Sequence, residues 1–138
     1  MVEGQIMTKI AWIEDDYEEI SSLVRLLELD GVEIPKYRTL RDVEDHIEDV
    51  LSCDAIILDI ILPPIKEDDP HQGISVLKML REKYSYKKPV VVCSVVRAPG
   101  IIAELRKLDV LDDNILSKPI RPSMLAKTVK KALEIEED

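Results

Sequence analysis

Four short, nearly continuous apolar runs punctuate the chain, and longer stretches with helical spacing separate them. The runs are "KIAWI", "AIILD", "PVVVCSV" and "NILS". Apolar runs this short, with no polar alternation, are the mark of strands covered on both faces. Ile20, Leu23, Val24 and Leu27 form a helical stripe closed by Gly31 as its C-cap. Leu40, Val43, Ile47, Val50 and Leu51 form the next, capped at its start by Thr39. Ile74, Leu77 and Leu80 mark a third helix, and Ile101, Leu105 and Leu108 a fourth. Leu125, Val129, Ala132 and Leu133 mark the last, with Pro122 in its first turn. The weakest strand lies in "VEIPKY", where Pro35 cannot donate to a ladder, so it belongs at a sheet edge.

Five strands alternating with five helices predict a doubly wound, five-stranded parallel sheet with right-handed crossovers and helices on both faces. A length of 138 residues fits one domain, 1–138, with no internal repeat or linker. A net charge of −9 argues against direct contact with nucleic acid, which requires a basic face, and suits cations or basic protein surfaces. No apolar run approaches the length of a membrane span. The start, "MVEGQIMTKI", lacks the basic region and apolar core of a signal peptide. Cys53 and Cys93 sit in apolar surroundings without a CxxC pattern, which predicts reduced, buried thiols and a cytoplasmic location. One segment has no periodicity: residues 60–72, "IILPPIKEDDPHQ", a loop long enough to suggest function or mobility and expected to bury little.

Ligands of open parallel sheets bind beyond the carboxyl ends of the strands. The first strand ends in Glu14, Asp15 and Asp16, the third in Asp59, the fourth in Ser94, and the fifth runs into Lys118–Pro119. Each has an ordinary reading alone: "EDD" as a helix cap, Asp59 as a turn residue, Ser94 as a locally bonded hydroxyl, Lys118 as a solvated cation. Together they say more. Three carboxylates gathered from two strands repel one another unless a divalent cation sits among them. Oxygen ligands without His or Cys favour Mg²⁺ over zinc. The cation and Lys118 would then compensate Asp59, which otherwise stands as a costly charge in "AIILDIILPP". A carboxylate beside Mg²⁺, a lysine and a hydroxyl can attack a phosphoryl group and hold the acyl phosphate. No GxxxxGK[ST] loop is present, so a nucleotide donor is not expected.

In this order, "KIAWIEDD", "AIILDIILP", "PVVVCSV" and "ILSKP" resemble the receiver domain of two-component response regulators, across about residues 8–135. The resemblance implies a flavodoxin-like sheet of order 2-1-3-4-5 and phosphorylation of Asp59 by a histidine kinase or phosphotransfer protein. It implies that Asp15, Asp59 and the backbone carbonyl of Ile61 bind Mg²⁺ directly, with Glu14 acting through water. Ser94 would hydrogen-bond the phosphoryl group, Lys118 would pair with it, and the Lys118–Pro119 bond would be cis. Such a domain signals to a downstream protein target and is not a conventional enzyme, although it assists its own phosphorylation and dephosphorylation. Ile61 and Val96 would flank the pocket and govern access of water to the acyl phosphate.

Two features depart from the family. Gly73 matches a glycine that follows the phosphorylation loop, but several positions later than usual; the extra residues fall in "PIKEDDPHQ", read as a solvated acidic loop or a partner-recognition element. His71 within it has no companion at ligand spacing and is not expected to bind metal. Ile115, three residues before Lys118, stands where the family often has an aromatic switch residue. Two other functions compete: a phosphorylation-independent adaptor that keeps only the fold, and a small phosphohydrolase of the haloacid dehalogenase-like type. The first would fit a chain that had lost an acid or Lys118, and none is lost. The second calls for a DxDx[TV] strand end, and Asp59-Ile60-Ile61 lacks the second acid. With 20 residues after Lys118 (138 − 118), the sequence is expected to act through protein contacts, alone or as one domain of a longer chain.

Overall fold

The apolar runs pair into one parallel sheet. A computed structural model describes residues 8–63, 71–95 and 98–137, with side chains to 134. Its strands are β1 (Ile10–Ile13), β2 (Lys36–Tyr37), β3 (Ala55–Leu58), β4 (Val90–Ser94) and β5 (Ile115–Ser117). They lie in the order β2-β1-β3-β4-β5, all parallel. The expected strand order and flavodoxin-like architecture are therefore present. The two-residue β2 is an edge strand, and Pro35 contributes its carbonyl, which accepts from Trp12 N at 2.9 Å.

Successive strand residues serve opposite layers, which is why the runs carry no polar alternation. Ala11, Ile13, Ile56, Leu58, Val90 and Val92 face one apolar core, shared with α2 (Leu40–Asp45), α3 (Ile47–Leu51), α4 (Gln72–Lys78) and α5 (Pro99–Lys107). Ile10, Trp12, Ala55, Ile57, Val91 and Cys93 face the other, shared with α1 (Arg25–Leu29) and α6 (Pro122–Glu137). Cys53 and Cys93 are both buried and free, on opposite faces of the sheet, and burial pushes their thiols up to about 11 and about 12. Among the described residues no helix is long and apolar enough to cross a membrane.

The helix ends follow the sequence signals. Gly31 adopts φ +88 and donates to Glu28 O, the left-handed conformation that a glycine tolerates. Thr39 Oγ1 accepts from Asp42 N at 3.0 Å and caps α2. Among the described residues six α-helices stand where five were expected, because the second apolar stripe is split at His46, whose φ of −124 interrupts the helix. Val43 and Val50 still reach the same core across that break. The first helix begins late: residues 15–20 form turns, and Ser21–Val24 a 3₁₀ turn, before α1.

A larger correction concerns residues 60–72. Ile60 and Leu62 are completely buried, so the start of this stretch belongs to the core and not to a surface loop. Ile56, Leu58, Ile60 and Leu62 all enter one core, the two-residue period running on past the end of β3. Residues 64–70, with most of the acidic segment, lie outside the described residues.

Candidate functional site at the carboxyl edge of the sheet

Glu14 directly follows β1 and Asp59 directly follows β3, so the two flank the point where the strand order reverses. The ladder fixes both backbones: Glu14 N donates to Tyr37 O at 2.9 Å, and Asp59 N to Ile13 O at 3.0 Å. Lys118 follows β5 and is held in the same way, its N donating to Ser94 O at 3.0 Å. From there its ammonium reaches across the edge of the sheet. Nζ lies 2.6 Å from Glu14 Oε1 and 3.2 Å from Asp59 Oδ2. Asp59 Oδ1 accepts from Ile61 N at 3.2 Å. The carboxylate of "AIILDIILPP" is thus met by a lysine and a backbone amide, not left bare in an apolar run.

Burial makes this arrangement energetically demanding. Glu14 is 1% exposed and Asp59 7%. Desolvation raises the Glu14 pKa; Lys118 opposes that and the Asp59 charge adds to it, leaving Glu14 at about 7. Burial alone would lower the Lys118 pKa, but bonds to and charges of Glu14 and Asp59 outweigh it and raise the pKa overall. Among the described residues, Lys118 is the cation that meets these two buried acids.

Glu14, Asp15 and Asp59 each offer a carboxylate oxygen, and these atoms all lie within 4.8 Å of one another. Oxygen donors alone, on two adjacent strand ends, fit a hard divalent cation such as Mg²⁺ and do not suit a thiophilic one. Asp16 stays outside this cluster; it is exposed, and only its backbone N approaches, 3.4 Å from Glu14 Oε2. Ser94 closes β4 and is buried beside the edge. Ile61 is half-buried, and Val96 lies outside the described residues. Ile115 is buried with Val92, Leu105 and Leu108, inside the core and away from solvent. His71 precedes α4 and belongs to no metal-ligating cluster among the described residues. The Lys118–Pro119 bond is cis.

Gly73 brings α4 against the Asp59 turn. Its N donates to Ile60 O at 2.7 Å, and a Cβ here would lie 2.0 Å from the Asp59 carbonyl oxygen and 2.5 Å from Ile60 Cα. Only glycine allows that approach. Sequence reasoning missed Arg38, just past β2, whose Nη1 donates to Asp15 O at 3.1 Å. An isolated arginine beside a weak strand gives no signal of such a contact.

A doubly wound sheet with clustered acids and a lysine at the carboxyl edge, joined through a cis Lys-Pro bond, defines a receiver-type domain. The chain matches the family model for the response regulator receiver domain over residues 10–130 and belongs to that family, a class of signalling domain and not of conventional enzymes. No curated protein matches it. Among solved structures it is similar to a CheY-like receiver domain protein from Methanospirillum hungatei, at 19% identity and a TM-score of 0.80, covering 96% of this chain and 98% of that one. A two-component response regulator from Clostridium difficile is similar at 24% identity and a TM-score of 0.76, with 96% and 100% covered. The beryllofluoride-activated receiver domain dimer of NtrC4 is similar at 24% identity and a TM-score of 0.74, with 94% and 98% covered. At these identities the likeness concerns the fold.

Proposed function

We propose that the chain is a single phosphoacceptor receiver domain, residues 1–138, that takes a phosphoryl group onto Asp59 from a histidine kinase or phosphotransfer protein. The observation that carries this reading is the Lys118 ammonium between the Glu14 and Asp59 carboxylates, with Asp15 alongside. An Asp59 carboxylate oxygen attacks phosphorus; the new O–P bond forms as the P–N bond of the phosphohistidine breaks, and the imidazole leaves. Lys118 meets the Asp59 carboxylate and then pairs with the transferred group. Ser94, at the end of β4, donates its hydroxyl to a phosphoryl oxygen. Asp15, Asp59 and the Ile61 carbonyl would hold Mg²⁺, with Glu14 acting through water. Mg²⁺ bound there supplies positive charge to the equatorial phosphoryl oxygens, the main demand of phosphoryl transfer. The output is a protein contact made by the phosphorylated state with a downstream target, in the cytoplasm, with no direct binding to nucleic acid or membrane. Retention of every acid and of Lys118 disfavours an adaptor that works without phosphorylation. Incubation with acetyl phosphate and Mg²⁺, followed by intact-mass measurement, tests the reading: a single phosphoryl adduct is expected.

A further inference from the structure

Asp15 sits on a segment that no helix supports. Residues 15–20 are turns, and within them Glu19 N and Ile20 N both return to Asp16 O. α1 does not begin until Arg25. Tyr17 and Ile20 anchor the segment on the core, and Arg38 grips it from the neighbouring strand end. Arg38 Nη1 donates to Asp15 O at 3.1 Å, its guanidinium carbon lies 4.4 Å from the centre of the Tyr17 ring, and its other arm pairs with Glu18. The base of the grip is equally fixed. Arg38 N donates to Asp42 Oδ2 at 2.9 Å, tying it to the cap of α2, and Tyr37 before it accepts from Glu14 N.

We infer that Arg38 is a positioning residue for the cation site, holding the Asp15–Glu18 turn so that the Asp15 carboxylate stays beside Glu14 and Asp59. The inference rests on the reading of that cluster as a Mg²⁺ site. The Glu18 pair contributes little, because the Glu18 side chain is largely exposed and such surface pairs are weak and screened by salt. The bond to the Asp15 carbonyl and the contact with the ring are what a planar guanidinium supplies and an ammonium does not supply at once. Residues that orient metal ligands without touching the ion commonly affect its affinity.

The sign of the effect separates positioning from simple charge. Arg38 is a cation near a cation site, so its charge alone opposes Mg²⁺, and removing it would tighten binding. Loss of positioning weakens binding. Titration calorimetry with MgCl₂ on the full chain is therefore decisive, run beside melting in chelator to read the fold separately. Arg38→Ala is expected to bind Mg²⁺ about five- to tenfold more weakly, Arg38→Lys about threefold, and Glu18→Gln within about twofold of wild type. If Arg38→Ala does not fold, Arg38→Lys carries the test by the same criterion. Equal or tighter binding by the folded variants, even with a lowered melting temperature, overturns the positioning role alone. A wild type that binds no Mg²⁺ overturns the cation-site reading and this role with it.

Discussion

Lys118 and Glu14, 104 positions apart in the chain, meet with Nζ 2.6 Å from Oε1 in a pocket that almost excludes solvent from the acid. That contact keeps Glu14 tolerable, but it does not cancel the burial, and the Glu14 pKa stays near 7, above its usual 4.5. The folded state therefore holds a proton that the unfolded state releases. The stability that this proton brings is complete below about pH 4.5 and is lost as pH rises to about 7. In chelator, wild type is expected to lose stability from pH 5 to pH 8 relative to Glu14→Gln, which cannot titrate. Urea unfolding of the pair at several pH values measures this. Parallel curves would mean that Glu14 titrates normally.

Gly73 marks a second tight relationship, with the Asp59 backbone. The three nearest atoms that a Cβ would meet belong to the backbone of Asp59 and Ile60 and cannot rotate away. Gly73→Ala is expected to destabilise the domain by about 1–3 kcal/mol and to slow phosphorylation by displacing the Asp59 turn. Denaturation midpoint and acetyl phosphate kinetics report the two effects. An unchanged midpoint would show that α4 can shift freely.

Much of this fold is legible in the residues, and so is the meeting of Glu14, Asp15, Asp59 and Lys118 at one edge of the sheet. Strands buried on both faces betray themselves as short apolar runs, and polar residues that end several such runs together mark one edge of the sheet. Less legible was what depends on three-dimensional meetings. The break at His46 leaves no trace in a stripe that continues through it. The late start of α1 is hidden because Ile20 fits the helical spacing without joining the helix. Ile60 and Leu62 did carry a signal, the same two-residue period as Ile56 and Leu58, but the prolines after them drew attention to a loop. Arg38 carried none, since its partners Asp15, Tyr17 and Glu18 lie 20 or more positions away.

The start of the long stretch and its acidic middle are expected to respond oppositely to change. Leu62→Ala removes a fully buried side chain and should cost about 2–5 kcal/mol. Deleting Lys66 to Asp69 should leave the melting temperature nearly unchanged, since residues 60–72 carry their three acids at Glu67, Asp68 and Asp69, with Pro63, Pro64 and Pro70 on either side. A large drop on deletion would place that segment in the core.

Persistence of the phosphoryl group is expected to depend on Ile61 and Val96. Ile61 N is bonded to Asp59 Oδ1, which puts this residue next to Asp59, and neither apolar side chain can orient an attacking water. Ile61→Asn combined with Val96→Glu should hasten adduct decay by about one to two orders of magnitude, following the usual cost of losing a water-positioning contact. Decay is followed after the donor is removed, at equal Mg²⁺. A wild type that loses the group within seconds, or a double variant no faster, would remove these side chains from control of the rate.

Phosphorylation of Asp59 itself is tested most directly by intact mass after incubation with acetyl phosphate, for wild type and Asp59→Asn, each with Mg²⁺ and with excess chelator. The expected result is one phosphoryl adduct on wild type with Mg²⁺ and none in the other three samples. An adduct on Asp59→Asn, or an equal adduct on wild type in chelator, would contradict a Mg²⁺-dependent phosphoacceptor at Asp59.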